Sequence, residues 1–204
     1  MAVVDASERD RTASPRALRR QDTVRRILEA AWRLSRDRGL TGWTLRDLGA
    51  EVGMRAPSLY GYADSKNALF DLMFADGYRQ LIERIDEQKR SEDPEELVRE
   101  AARLFVTFAD EEPARFQLLF QFTAPGFEPS AESMALAGQA LDELVVALAA
   151  AGVHDQADVD LWTATLTGLA SQQVSNDPGG DRWLRLVDRA VDHLLARPSS
   201  ARGR

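Results

Sequence analysis

Apolar residues return every three or four positions along most of this chain, and Gly, Pro, Asp and Ser stand between the periodic stretches. Val24, Ile27, Leu28, Ala31 and Leu34 form the first stripe, with Arg25, Arg26, Arg33 and Arg36 mostly off it, which predicts an amphipathic helix over 19–38 that stops at Gly39. Leu40 and Trp43 follow as plugs for a small core. Leu45, Leu48 and Val52 then mark a short helix capped by Thr44, with Asp47 at capping-box spacing, and Gly53 takes the left-handed position after it. A second short helix is expected from Pro57 to about Ala63. Ser65 caps a long helix to about Lys89, which at ~1.5 Å per residue spans roughly 40 Å. Asp93-Pro94-Glu95-Glu96 is a cap, a first-turn proline and two acids favoured by the helix dipole, and opens a helix to about Asp110. Glu112-Pro113 starts a shorter one carrying Phe116, Leu119 and Phe120.

After a Pro/Gly loop at 123–129, helices are expected over about 130–151, 156–176 and 181–196. The last two are apolar on two sides. On the first of them Val159, Trp162, Leu166 and Leu169 make one stripe and Leu161, Thr165, Gly168 and Gln172 another. On the second the faces are Leu184, Val187, Val191 and Leu195, and Trp183, Leu186, Ala190 and Leu194. A helix in a monomer needs one buried stripe, so a second implies a partner helix. No segment has strand periodicity. The expected fold is all-α with about nine helices: an irregular arm (1–18), a three-helix domain (19–64), a helical body (65–197) and a polar tail (198–204).

The stretch 44–66 is a helix, a Gly-containing turn and a second short helix, the pattern of a helix-turn-helix whose second helix enters a DNA major groove. Charge bears on this. The net charge of −7 argues against a polyanionic partner until it is divided along the chain. Residues 1–66 hold 13 Arg/Lys against 9 Asp/Glu, whereas 67–204 hold 13 against 24. A basic start on an acidic body suits a DNA reader with a non-DNA second part.

Thr44, Leu45, Arg46, Asp47, Leu48, Val52, Gly53, Met54, Leu59, Tyr60, Lys66 and Leu69 together resemble the DNA-binding domain of TetR-type (tetracycline-repressor-like) transcriptional regulators. The chain departs from that pattern at Gly49, where Ala is usual, at Tyr62 (His) and at Ala63 (a packing Phe). The resemblance is close over residues 19–75 and beyond that is only a succession of helices. It implies phosphate contacts from Thr44, Tyr60 and Lys66, and base reading by Arg46, Arg55, Ser58 and Tyr62. It also implies a body that dimerises and senses a small molecule. The second apolar stripes, Leu161, Thr165, Gly168 and Gln172 with Trp183, Leu186 and Ala190, are the expected dimer face. The aromatic set Phe105, Phe108, Phe116, Phe120, Phe122 and Trp162 has two readings, ordinary core packing or a ligand cavity lined by some of them, with Phe105, Phe108, Phe116, Phe120 and Trp162 as the candidates and Gln172 and Gln173 as candidate polar contacts.

Other chemistry finds little support. Without cysteine there is no disulfide, thiolate zinc site or Cys nucleophile. His154 and His193 have no ligand spacing, no G-x-S-x-G or phosphate loop is present, and no cofactor is implied. No signal core precedes the N-terminal charges, and apolar runs are read as too short for a membrane span, so a cytoplasmic protein without membrane contact is expected. The reading is a homodimeric repressor released from operator DNA by a small apolar or amphipathic effector. Its rivals are a helix-turn-helix adaptor whose body binds only protein, and an all-α small-molecule enzyme. Activation instead of repression stays open.

Overall fold

The computed structural model describes residues 14–196, and the expected arm before residue 14 and tail after 196 lie outside them. Among the described residues there are nine α-helices and no strand. They are α1 Pro15–Arg38, α2 Leu45–Glu51, α3 Ala56–Tyr60, α4 Lys66–Glu87, α5 Pro94–Glu111, α6 Pro113–Phe116, α7 Ala131–Ala150, α8 Gln156–Asn176 and α9 Val187–Leu195. The chain divides after Leu69 into two compact units.

In the first unit α1 begins earlier than its apolar period indicates. Ser14 accepts a hydrogen bond from the Ala17 N–H at 3.2 Å and Pro15 occupies the first turn, so a local cap starts the helix ahead of the buried stripe. Residues 15–18, expected in the arm, are therefore helical. Ile27, Leu28, Ala31 and Leu34 are buried together with Leu40, Trp43, Leu48 and Leu59. The Trp43 indole N–H donates to Ser35 Oγ at 3.1 Å, so the buried ring keeps its polar atom satisfied.

The second unit is built around α5, which packs against α6, α7, α8 and α9. Val98, Ala102, Val106 and Ala109 of α5 meet Phe116, Leu148, Val159, Trp162, Leu166, Val187 and Val191 in one apolar core. At about 1.5–3 kcal/mol per fully buried large apolar side chain, this cluster is the main source of the unit's stability. Polar ties fix the rest. Arg103 donates to Asp188 Oδ1 at 2.8 Å and Arg99 to the Asp188 carbonyl at 3.0 Å, holding α9 on α5. Asp71 of α4 accepts from the Ser130 N–H at 2.8 Å and from its hydroxyl at 2.9 Å, fixing the start of α7. Gly77 of α4 is a close-packing position, because a Cβ there would lie 2.8 Å from Leu119 Cδ1.

Three elements differ from their expected form. The helix after Pro113 widens into a π turn over Gln117–Gln121 and ends at Phe122, whose φ of 50° is left-handed. The last helix is preceded by a 3-10 turn, Leu184–Leu186, where a continuous helix over 181–196 was expected. By length and composition, with a mean hydropathy of 1.4, α7 passes the test for a membrane-crossing helix, which corrects the reading of every apolar run as too short. A single such helix is weak evidence for a membrane, and here α7 packs on α5.

Candidate DNA interface and ligand cavity

The turn between α2 and α3 depends on two glycines. Gly53 has φ 68°, a conformation that costs any residue with a Cβ about 1–2 kcal/mol. The Met54 N–H donates to the Gly49 carbonyl at 2.8 Å, and a Cβ on Gly49 would stand 3.0 Å from the Met54 oxygen. That contact accounts for Gly49 where the resemblance expects alanine. The turn sends α3 off with Pro57 in its first turn, Leu59 buried, and Ser58 and Tyr60 exposed.

Arg46 and Arg55 are exposed and take part in no ion pair among the described residues, whereas Arg25, Arg33 and Arg38 are each paired with a carboxylate of the same unit. Tyr60 is 52% exposed. Tyr62 is half-buried, with the Arg20 guanidinium 4.9 Å from its ring centre, so its face is occupied from within the unit.

Two expected phosphate contacts turn out to have internal work. The Thr44 hydroxyl donates to Asp47 Oδ2 at 2.6 Å and accepts from the Asp47 N–H at 3.2 Å, while the Thr44 N–H donates to Asp47 at 2.8 Å. This is a complete capping box, and in it the hydroxyl proton is already given away. The same bonds hold the Asp47 carboxyl below its ordinary value, the Thr44 hydroxyl contributing most. Lys66 Nζ donates to the Trp43 carbonyl at 2.6 Å and sits 4.4 Å from the Trp43 ring centre. Burial lowers its pKa, and the charge of Asp47 opposes that. Lys66 thus ties the first turn of α4 to the loop before α2.

A cavity of about 480 Å³ opens in the second unit, within the usual size range of small-molecule sites. Tyr78, Leu81 and Ile85 of α4, Leu97, Leu104 and Phe105 of α5, Phe120 of the π turn, Met134, Leu141 and Leu144 of α7, and Leu166 of α8 give it apolar walls. Polar groups on the lining are few: Gln88, Arg90, Glu100, Glu143, Thr163 and Thr167. Of the five aromatic residues expected around a ligand, Phe105 and Phe120 line this space and the other three do not. Phe116 is fully buried behind them, 6.4 Å from the Phe105 ring and 5.7 Å from that of Phe120. Trp162 belongs to the core under α5. Phe108 lies beneath the Arg115 guanidinium, 3.5 Å from its ring centre, and its carbonyl accepts from Arg115 Nη2 at 2.7 Å. Period alone could not separate Phe105 from Phe108, since both stand on the one broad apolar side of α5.

Gln173, a candidate polar contact under the cavity reading, is fully buried elsewhere. It donates to the carbonyls of Asp177 and Gly180 and accepts from the N–H groups of Trp183 and Leu184, clasping the turn between α8 and α9. The missed wall residues came mainly from α7, with others from α5, α4 and α8. The excess of apolar positions on α7, whose Leu141 and Val146 are 46% and 62% exposed, was the available signal.

On the expected dimer face Leu161 is 46% exposed, Gly168 and Gln172 are exposed, and Thr165, Trp183, Leu186 and Ala190 are half-buried in the single chain. Nothing within 4 Å would meet a Cβ on Gly168. Among the described residues no group of three or more His, Cys, Asp or Glu could hold a metal ion.

Residues 27–73 match the model of the tetR family of bacterial regulatory proteins. An HTH-type transcriptional regulator of Mycobacterium tuberculosis is 25% identical over 171 residues, covering 80% of this chain and 73% of its own. Similarity of fold extends further. The TetR family regulator PfmR from Thermus thermophilus superposes with a TM-score of 0.62 at 21% identity, covering 83% of this chain and 97% of its own. A TetR family member from Streptomyces coelicolor does so with a TM-score of 0.64 at 18% identity, covering 84% and 97%. The helix-turn-helix, the helical second unit and these likenesses agree: residues 27–73 form a DNA-binding domain of the tetR family of bacterial regulatory proteins, and the helices beyond it share the fold of TetR family regulators.

Proposed function

We propose that the chain is a homodimeric, cytoplasmic repressor that a small apolar or amphipathic effector releases from its operator. The observation that carries the effector part is the apolar cavity of about 480 Å³ in the second unit. The same cavity favours a sensor over an adaptor whose body binds only protein, for which a filled core is expected. Regulation, with no catalysis of its own, is the reading for the whole chain.

On the DNA side, Arg46 and Arg55 are the base readers, Ser58 and Tyr62 assist them, and Tyr60 is the phosphate contact. Thr44 and Lys66 act mainly by shaping the motif. Paired recognition helices of a dimer must stand ~34–36 Å apart to enter successive major grooves. The dimer is formed through Leu161, Thr165, Gly168 and Gln172 of α8 with Trp183, Leu186 and Ala190, giving a four-helix interface about a two-fold axis. Gly168→Glu is expected to shift sedimentation toward monomer, and a wild type that sediments as a monomer throughout overturns this part.

The decisive experiment couples the two sites. Once a cognate operator is selected from random duplexes and an effector is identified, calorimetry measures effector affinity with and without DNA. Losing DNA ~100-fold needs about 2.7 kcal/mol of coupling, and linkage requires operator DNA to weaken effector binding by the same factor. Equal affinity in both titrations refutes the sensor. Replacing Tyr60 by Ala is expected to weaken all sequences alike and to leave the salt slope nearly unchanged, because a neutral phenol displaces no counterion, whereas Arg46→Ala relaxes one base position by about 1–3 kcal/mol. If neither substitution changes duplex binding, the interface is elsewhere.

A further inference from the structure

We infer that the effector is a lipophilic cation, recognised by the Glu100 carboxylate on the cavity wall; this rests on the cavity being the effector site. Three charged side chains line the space: Arg90, Glu100 and Glu143. Arg90 is already neutralised, because its Nη2 lies 2.8 Å from Glu143 Oε2. Glu100 accepts one backbone hydrogen bond, from the Ser91 N–H at 3.1 Å, and has no cationic partner among the described residues. Its charge is therefore the uncompensated one on an otherwise apolar wall, with neither Lys nor His on the lining to oppose it.

The rings add to this preference. Tyr78 meets Phe120 edge to face with centres 5.6 Å apart, and Phe105 meets Phe120 in the same manner at 5.0 Å. Aromatic ring faces attract a desolvated cation and disfavour an anion. An anionic effector would instead face Glu100 and would have to take Arg90 from Glu143, leaving a second carboxylate unpaired on the wall. A neutral one would forgo the Glu100 charge. A cation with an apolar body satisfies carboxylate, rings and aliphatic walls at once.

The test uses two ions of one shape and opposite charge, tetraphenylphosphonium and tetraphenylborate, with neutral N-phenyl-1-naphthylamine as a fluorescent control. Calorimetry on the full-length protein is expected to show the cation binding at least about tenfold more tightly than the anion. Glu100→Gln keeps an acceptor for the Ser91 N–H and should fold. It is expected to bring the two ions within about threefold of each other while leaving the neutral probe's affinity unchanged. The protein's net charge of −7 favours any cation, so the change on substitution is what decides. An anion bound as tightly as the cation, or a preference that survives Glu100→Gln, overturns the inference. Binding of the neutral probe with no response to either ion overturns it too, yet leaves the cavity as an effector site. Failure of all three probes removes the cavity reading with it.

Discussion

Replacing Gln173 by Leu removes the clasp between α8 and α9 while nearly conserving volume. The side chain is fully buried and holds four backbone groups. Their losses differ. The Asp177 carbonyl keeps a second partner, the Gly180 N–H at 3.0 Å, and Gly180 is exposed, so water can replace the amide at its oxygen. The N–H groups of Trp183 and Leu184 lie in half-buried residues with no other acceptor among the described residues, and each orphaned donor costs about 1–3 kcal/mol. Two such donors, less a small gain from the added apolar contact, give a destabilisation of about 3 kcal/mol. In urea, followed by circular dichroism, this lowers the midpoint by about 1–1.5 M. Sedimentation should also respond, because the turn positions Trp183 and Leu186 on the expected dimer face. Gln173→Glu retains an acceptor for both N–H groups but presents a carboxylate to two carbonyls. Its pKa should be raised, so that the variant's stability is present at low pH and is lost as pH rises. A Gln173→Leu protein within about 0.5 kcal/mol of wild type would refute the reasoning.

Other perturbations give separate checks. In Gly77→Ala the new methyl meets Leu119 Cδ1 at 2.8 Å, and overpacking against a buried leucine should outweigh the gain in helix propensity, for a net loss of about 1 kcal/mol in urea unfolding. The Asp47 carboxyl is held below its ordinary value, so the stability it adds is present at neutral pH and disappears as pH falls through its folded value. Asp47→Ala should therefore flatten the acid limb of the unfolding curve, and an unchanged limb argues against the capping box. Burial pushes the Tyr78 phenol up from 10.0 to about 12, so the wild type loses stability as pH climbs from 10 toward 12. Tyr78→Phe should reduce that loss and remove the latest step of the tyrosine absorbance titration. Truncating Arg115 to Ala strands the Phe108 carbonyl and Gln80 Oε1, which accept from it at 2.7 and 2.6 Å, and should cost about 2–4 kcal/mol by thermal or urea unfolding.

Local physics is written locally, and so the sequence determined much of this protein. Thr44 with Asp47, Asp93 with Pro94, and Gly53 act within three or four residues of themselves, so caps and the recognition turn were legible without a neighbour. The all-α class followed from period, and the TetR-type DNA-binding motif from a dozen positions around the turn. Tertiary structure decided what each residue of an apolar side faces. Phe105 and Phe108 lie three residues apart on α5, yet one lines the cavity and the other lies beneath Arg115. Nothing in their spacing distinguishes them, because the difference is made by Arg115 on α6 and by α7 beyond the loop. Gln172 and Gln173 are alike in sequence, but the path of the chain after Asn176 closes around only the second. In the sequence Glu100 is one acid among many on helices, and only α4 and α7 enclosing an apolar space beside it set it apart. A periodic sequence records that a side is buried; which residues stand opposite is set by elements tens of positions away, whose placement the period does not encode.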